Sequence, residues 1–396
     1  MTVVIFCHSI SSCWNHGNAH FLRGVARELL AAGHTVDVHE PANGWSRTNA
    51  LADGGADALA EGAALVPGLR VHRYGLDGPD LDRALDGADL VLAHEWNEPA
   101  LIAALGVRRA QGGRFLLFFH DTHHRAVTAP DEIGRFDLDG YDAVLAFGEV
   151  LRDVYARRGW GRRVFTWHEA ADTALFRPLV RDTETDLVFI GNYGDGERDA
   201  ELRQFLMEPV ATLGIAARVH GVRWPEAARA ALAAHGLAYA GWLPNHRAPE
   251  AFARARVTVH VPRRPYAETL RGIPTIRVFE ALACGIPLVS APWDDAEGLF
   301  PPGSYLAAPD GAVMTAALAG LLADRDQADA LARTGLAAIR ARHTCAHRVA
   351  ELIAIVAHLR GAQPSPAPSR PASSSAELSA SSPAPHSTEL IRTAAS

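Results

Sequence analysis

The chain contains no lysine. All 38 of its basic residues are arginine, so any group that clamps a phosphate must be a guanidinium or a backbone N–H. A basic excess is missing as well. Against 45 acidic residues the formal net charge is −7, and neutralising a nucleic-acid backbone takes a basic face that this balance does not supply. Cysteine is scarce: Cys7, Cys13, Cys284 and Cys345 form no C-x-x-C pair, which argues against structural zinc and fits a reduced chain. No apolar run approaches the ~20 residues that cross a bilayer. The short apolar run at 3–7 lacks the basic flank and the length of a signal peptide. The expectation is a soluble, cytoplasmic protein, with peripheral membrane contact left open.

What is present is a globular composition, 48% hydrophobic and 21% charged, over 396 residues, a length that suits two domains. Short apolar runs alternate with longer amphipathic ones, the pattern of parallel strands joined by crossover helices. Strands are expected at 3–8, 35–39, 71–74, 90–94, 115–120, 143–147 and 164–167, with helices at 19–32, 99–110 and 149–158. A charged, proline-containing stretch at 172–185 reads as a linker. Strands then resume at 186–190, 217–220, 257–261 and 287–290, with helices at 200–213, 225–234, 275–284, 312–322, 327–342 and 346–359. The expected fold is α/β, two Rossmann-like domains with parallel sheets facing across a cleft. The expected boundaries are 1–170, a linker at 171–185, a second domain at 186–345 and a crossover helix at 346–361 that packs back. The stretch 362–396, rich in Pro, Ser and Ala, is expected to be disordered. No repeat of fixed period is visible, which argues against a solenoid.

Ligands of parallel sheets collect at the carboxyl ends of the strands. There stand His8 and Ser9, then Gly17 and Asn18 before a helix, then His94 and Glu95, then His120, Asp121, His123 and His124. Polar residues at so many strand ends suggest one shared cleft. Gly17 and Asn18 place free N–H groups at a helix start, suited to an anion, or form a tight turn with Asn18 as cap. His120 and Asp121 offer a catalytic base or hydrogen-bonding pair, or they cap the following loop. Nothing fixes a metal geometry for these histidines, and no metal site is expected. G-x-G-x-x-G is absent, which gives no support to a nicotinamide cofactor.

In the second half, the loop Gly191-Asn192-Tyr193-Gly194-Asp195-Gly196 follows a strand and precedes a helix, either cradling phosphate or lying on the surface, with Arg198 just beyond. Glu280 lies in a short helix that Gly285 can close with a left-handed residue, Pro287 leading into a buried strand. A carboxylate there suits two ribose hydroxyls. Alternatively it answers the helix dipole, which leaves Arg263, Arg264, Tyr266, Arg271 and Arg277 unexplained. Those residues point to an anionic ligand.

These pieces resemble the GT-B glycosyltransferases, in particular the retaining family 4 type and the related spore-maturation, CgeB-like type. Gly17 through Asp37 resembles their opening glycine loop, helix and "GHxV" strand, and His120-Asp121 their histidine–aspartate pair. His168-Glu169-Ala170-Ala171-Asp172, with Phe176 and Pro178, is similar to their "NGVD…F.P" linker. Glu280 to Val289 looks like their "E-A-x-A-x-G-x-P-x-V" donor motif, the most specific of the four. The resemblance implies a GT-B fold and a nucleotide-sugar donor held in the C-terminal half. It places Glu280 on the ribose, Gly191 and Asn192 near the diphosphate, and His120 opposite the transferred sugar. With Arg198, Arg264, Tyr266, Arg271 and Arg277 these make the expected donor site. His168 joins Gly17, Asn18, His94 and Glu95 as a substrate-binding candidate.

Two departures stand out. Family 4 carries a second glutamate eight residues before the first, where this chain has Gly272, and its phosphate lysine is missing. Arg198, Arg264 or Arg271 are the expected substitutes, and the missing glutamate favours the CgeB-like branch. The implied function is metal-independent transfer of a sugar to a small-molecule or glycan acceptor, with no cofactor beyond the donor. Asp80-Leu-Asp82 and Asp137-Leu-Asp139 follow no clear strand and do not suggest a D-x-D metal site. A nucleotide-sugar epimerase and a non-catalytic GT-B scaffold are the alternatives. Acceptor candidates lie in the N-terminal half, at Trp14, His16, Trp45, Trp96 and the loop after His124.

Overall fold

The computed structural model describes residues 1–15 and 17–361; His16 and the expected disordered tail at 362–396 lie outside the described residues. Seven parallel strands form the first sheet: β1 (Thr2–Phe6), β2 (Thr35–Pro41), β3 (Arg70–Tyr74), β4 (Leu90–His94), β5 (Leu116–Asp121), β6 (Ala143–Ala146) and β7 (Val164–Thr166), in the order β3-β2-β1-β4-β5-β6-β7. Six form the second: β8 (Thr185–Ile190), β9 (Ala217–His220), β10 (Leu237–Tyr239), β11 (Ala255–His260), β12 (Leu288–Ser290) and β13 (Leu306–Ala307), in the order β10-β9-β8-β11-β12-β13. The central strands β1, β4, β5 and β6 are almost wholly apolar and buried, as strands covered by helices on both faces must be.

Edge strands were the harder ones to read. β10 and β13 are short and lack a continuous apolar run, and the helix Trp45–Ala64 has a weak apolar stripe. None of these was expected from the pattern. The helix expected at 200–213 is helical throughout but contains a π-turn over Arg203–Met207 between Asp199–Leu202 and Glu208–Leu213. Pro209 explains it: without an N–H it cannot continue the ladder, and its ring displaces the carbonyl one turn earlier.

One apolar core runs through the junction of the two sheets. Phe21, Trp167, Ala170, Phe176, Phe279, Ala338 and Val349 belong to it and are buried. The C-terminal helix Cys345–Leu359 packs on Asn18–Ala31 of the first domain, and the Trp167 indole N–H donates to the Arg348 carbonyl at 2.8 Å. Tyr266, Leu270 and Ile273 of the second domain insert into the core on the other face of the first sheet. The two sheets are therefore held as one packed body.

Candidate functional site

Strand order reverses between β1 and β4 in one sheet and between β8 and β11 in the other. Crevices open at such reversals because the flanking helices diverge to opposite faces. The two crevices merge into one cleft of about 480 Å³, lined by residues following β1, β4, β5 and β6 on one side and β8 and β11 on the other.

The C-terminal wall is cationic. Arg198, Arg223, Arg263 and Arg277 all line it, beside Gly191, Asn192 and Tyr266. Arg263 is answered by Glu197 and Arg223 by Asp195. Arg198 differs. It is 6% exposed, its guanidinium donates to the carbonyls of Val261 and Asn192, its Nε has no partner, and no carboxylate among the described residues lies within ion-pair distance. Burial lowers its pKa to about 10, which still leaves it charged at neutral pH. A buried cation without a counter-ion is costly, and an anion in the cleft would meet it. His260 stands behind this wall with both ring nitrogens bonded to hydroxyls, Ser290 at 2.9 Å and Thr275 at 3.0 Å; burial drops its pKa to about 3, so the ring is neutral.

The cleft floor lies where the domains touch. Gly17 and Asn18 line it, with Asn15 and Glu169. The Asn15 side-chain Oδ1 accepts from the Asn192 side-chain amide at 2.7 Å, a direct bond across the domains. Asn18 does not cap its own helix with its side chain; its amide donates to Glu169 at 2.9 Å. Burial, reinforced by the charge of Glu280, pushes Glu169 up to about 8, so it is a neutral acid at pH 7. Sequence reasoning assigned Glu169 no role, although the strand-end rule would have found it three residues after β7. The N-terminal lip carries Trp45, Trp96, Thr122, His123, His124 and Arg125.

Several expected site residues lie elsewhere. His120 and Asp121 are buried at the end of β5 and do not line the cleft. Asp121 accepts from the Tyr155 hydroxyl at 2.6 Å and from the His123 backbone N–H at 2.9 Å, shaping the loop that presents His123 and His124. The His120 ring sits among Phe21, His94 and Trp167. His94 meets the Thr122 hydroxyl at 3.1 Å, and Glu95 is paired with Arg125, both beneath the lip. His168 pairs with Glu297 at 2.6 Å and faces a separate depression beside the C-terminal helix. Of the three candidate lysine substitutes only Arg198 reaches the cleft: Arg264 pairs with Glu201 at 3.0 Å and Arg271 with Asp294, both on the surface.

Glu280 is fully buried. His20 Nδ1 donates to one oxygen at 2.7 Å, Asn245 donates to the same oxygen at 2.6 Å, and Arg277 holds the other. Burial raises its pKa, but the Arg277 charge and the hydrogen bonds outweigh this and leave it below the usual carboxylate range. Gly272 shows why a glutamate is missing there. Its φ of +89° is left-handed, and a Cβ would stand 2.6 Å from the Glu297 side chain. Among the described residues no cluster of three or more His, Cys, Asp or Glu is arranged to hold a metal ion.

Residues 198–354 match the family model described as glycosyl transferase-like. Among solved structures, sucrose-phosphate synthase from Thermosynechococcus elongatus superposes with a TM-score of 0.63 at 16% identity, covering 91% of this chain and 99% of that one. HepE of Anabaena, solved with UDP, gives 0.64 at 12%, covering 90% and 100%. The fold is GT-B. The T4 phage β-glucosyltransferase, solved with its UDP-glucose substrate, shares this GT-B frame at a TM-score of 0.56 and 10% identity, over 91% and 99% of the chains. No curated protein sequence matches the chain significantly. In the GT-B frame the glycosyl transferase-like domain contributes the cationic wall, and its match begins at Arg198. No described helix is long and apolar enough to cross a membrane.

Proposed function

We propose that this glycosyltransferase takes its sugar from a uridine diphosphate sugar whose diphosphate lies against Arg198, Arg263 and Arg277. The observation that carries the reading is the buried, carboxylate-free guanidinium of Arg198 at the strand reversal of the glycosyl transferase-like domain. HepE, solved with UDP and with UDP-glucose, and the T4 enzyme supply the choice of uridine. The motif around Glu280 supports a family 4-like or CgeB-like place within GT-B. Arg277 and Glu280 join the donor wall to the domain junction, so a ribose near Glu280 would need Arg277 to change partners.

The reaction is a displacement at the anomeric carbon. An acceptor hydroxyl oxygen bonds to that carbon, the bond to the diphosphate oxygen breaks, UDP leaves with the electron pair, and the hydroxyl proton ends on the released diphosphate. Guanidinium groups fixed at the leaving oxygens stabilise the developing charge without reorganising, and the reading assigns that task to arginine rather than to a metal. Charge-assisted hydrogen bonds of this kind are worth about 1.5–3 kcal/mol, or roughly 10–150-fold in affinity. Calorimetric titration of UDP in EDTA should therefore show binding to the wild type and a loss of that size in Arg198→Met. Equal affinity in the two proteins, or binding that requires added metal, would sink the reading.

A further inference from the structure

The proposed donor contacts leave the N-terminal lip of the cleft unassigned. Trp45 is 39% exposed, stacked on His8 with ring centroids 4.5 Å apart and met edge-on by Trp14 at 6.2 Å. Trp96 is covered by the Arg125 guanidinium 4.0 Å from its ring centre and met edge-on by His123 at 5.0 Å. Both indoles line the cleft. They are thus aromatic surfaces fixed by backing groups, suited to receive a flat or ring-shaped ligand.

Beside them are polar atoms that lack partners. Nδ1 of His123, Nε2 of His124 and Nε of Arg125 are buried without a hydrogen bond. Three such atoms on consecutive residues are unusual, since buried polar groups are nearly always satisfied and an orphan is destabilising. Burial, with the neighbouring histidine and arginines, keeps His123 well below its ordinary pKa, and burial takes His124 to about 4. Neutral imidazoles present a lone pair or an N–H, and so bond neutral hydroxyls rather than attract anions.

Resting on the donor reading above, we propose that the acceptor is a carbohydrate, seated on Trp45 and Trp96 with its hydroxyls bonded to the ring nitrogens of His123 and His124. A sugar has an apolar C–H face for an indole and a rim of hydroxyls that both donate and accept. A phenol or a fatty alcohol offers a single hydroxyl and would leave at least one of the buried nitrogens unpaired. Thr128 and Glu132, which line the same lip, add polar contacts for further hydroxyls.

The test is a printed glycan array probed with fluorescently labelled full-length protein in saturating UDP, alongside calorimetry of UDP alone. Wild type should be retained by one class of saccharide, and Trp45→Ala and His123→Ala should each lose at least tenfold in array signal. Their UDP affinity should stay within twofold of wild type, which also reports that both variants fold. Two results overturn the proposal: no glycan retained although UDP binds, or Trp45→Ala weakening UDP, which would make the indole a base platform. If UDP does not bind at all, the donor reading fails, and the array repeated without nucleotide still decides the acceptor class.

Discussion

Glu169 and Glu280 feel each other's charge at the base of the cleft, and their surroundings separate them. Glu280 receives Arg277, His20 and Asn245, while among the described residues Glu169 receives the Asn18 amide alone. One carboxyl is held ionised and the other protonated, the usual outcome for neighbouring buried acids. Because the Glu169 pKa rises from 4.5 to about 8 on folding, the folded state holds a proton that the unfolded state gives up at lower pH. Stability from this group is fully present below pH 4.5 and is lost as pH rises through about 8. Glu169→Gln should therefore melt increasingly above wild type between pH 5 and pH 8.5 in thermal scans. UDP affinity of the wild type should fall above pH 8, where an ionised Glu169 repels diphosphate, and that fall should be absent in the variant. Parallel melting curves across this range would show that Glu169 is not held protonated.

At the scale of elements, the contact between helix Asn18–Ala31 and helix Cys345–Leu359 depends on Gly24. A methyl there would lie 2.9 Å from the Asp172 Cβ and closer still to the Cys345 sulfur. Both neighbours are buried, and the segments that carry them are fixed by backbone bonds from the Cys345 N–H to the Ala171 carbonyl and from the Ala171 N–H to the His343 carbonyl. Overpacking of this kind costs roughly 1–3 kcal/mol, so Gly24→Ala should lower the urea midpoint with little change in slope. These elements also show what is legible in a sequence. The helices at 99–110 and 149–158 begin and end where the pattern puts them, because Pro99 sets one start and Gly159 closes the other. Gly285 likewise ends its helix in the left-handed conformation. β10 and β13 were missed because two or three residues carry no period.

At the scale of the molecule, one polar network crosses the domain junction. The Asp172 N–H donates to His20 Nε2 at 2.8 Å, so Nδ1 carries the hydrogen given to Glu280. Helix Asn18–Ala31, the linker, Asn245 and helix Ile276–Cys284 are joined through this one carboxylate. Removing one member of a buried ionic cluster strands the rest, at about 3–5 kcal/mol. Glu280→Ala should lose that much in urea unfolding without any ligand present. An unchanged unfolding free energy would show that Glu280 carries no structural load and is free for the donor.

By itself the sequence determined the alternating α/β pattern, the two sheets and the strand ends at which polar residues gather, because hydrophobic periodicity and the Gly and Pro boundaries are local. It also restricted any phosphate clamp to arginine or backbone N–H groups, since lysine is absent. Which arginines and which acids face the cleft only the tertiary structure decided. Arg198, Arg264 and Arg271 look alike in the chain, yet two find carboxylates on the surface and one is buried against carbonyls at the strand reversal. His120 and Asp121 are buried within the first domain and Glu280 at the domain junction, while Glu169, His123 and His124 line the cleft. Burial and ion pairing join residues distant in the chain, and no local pattern encodes them.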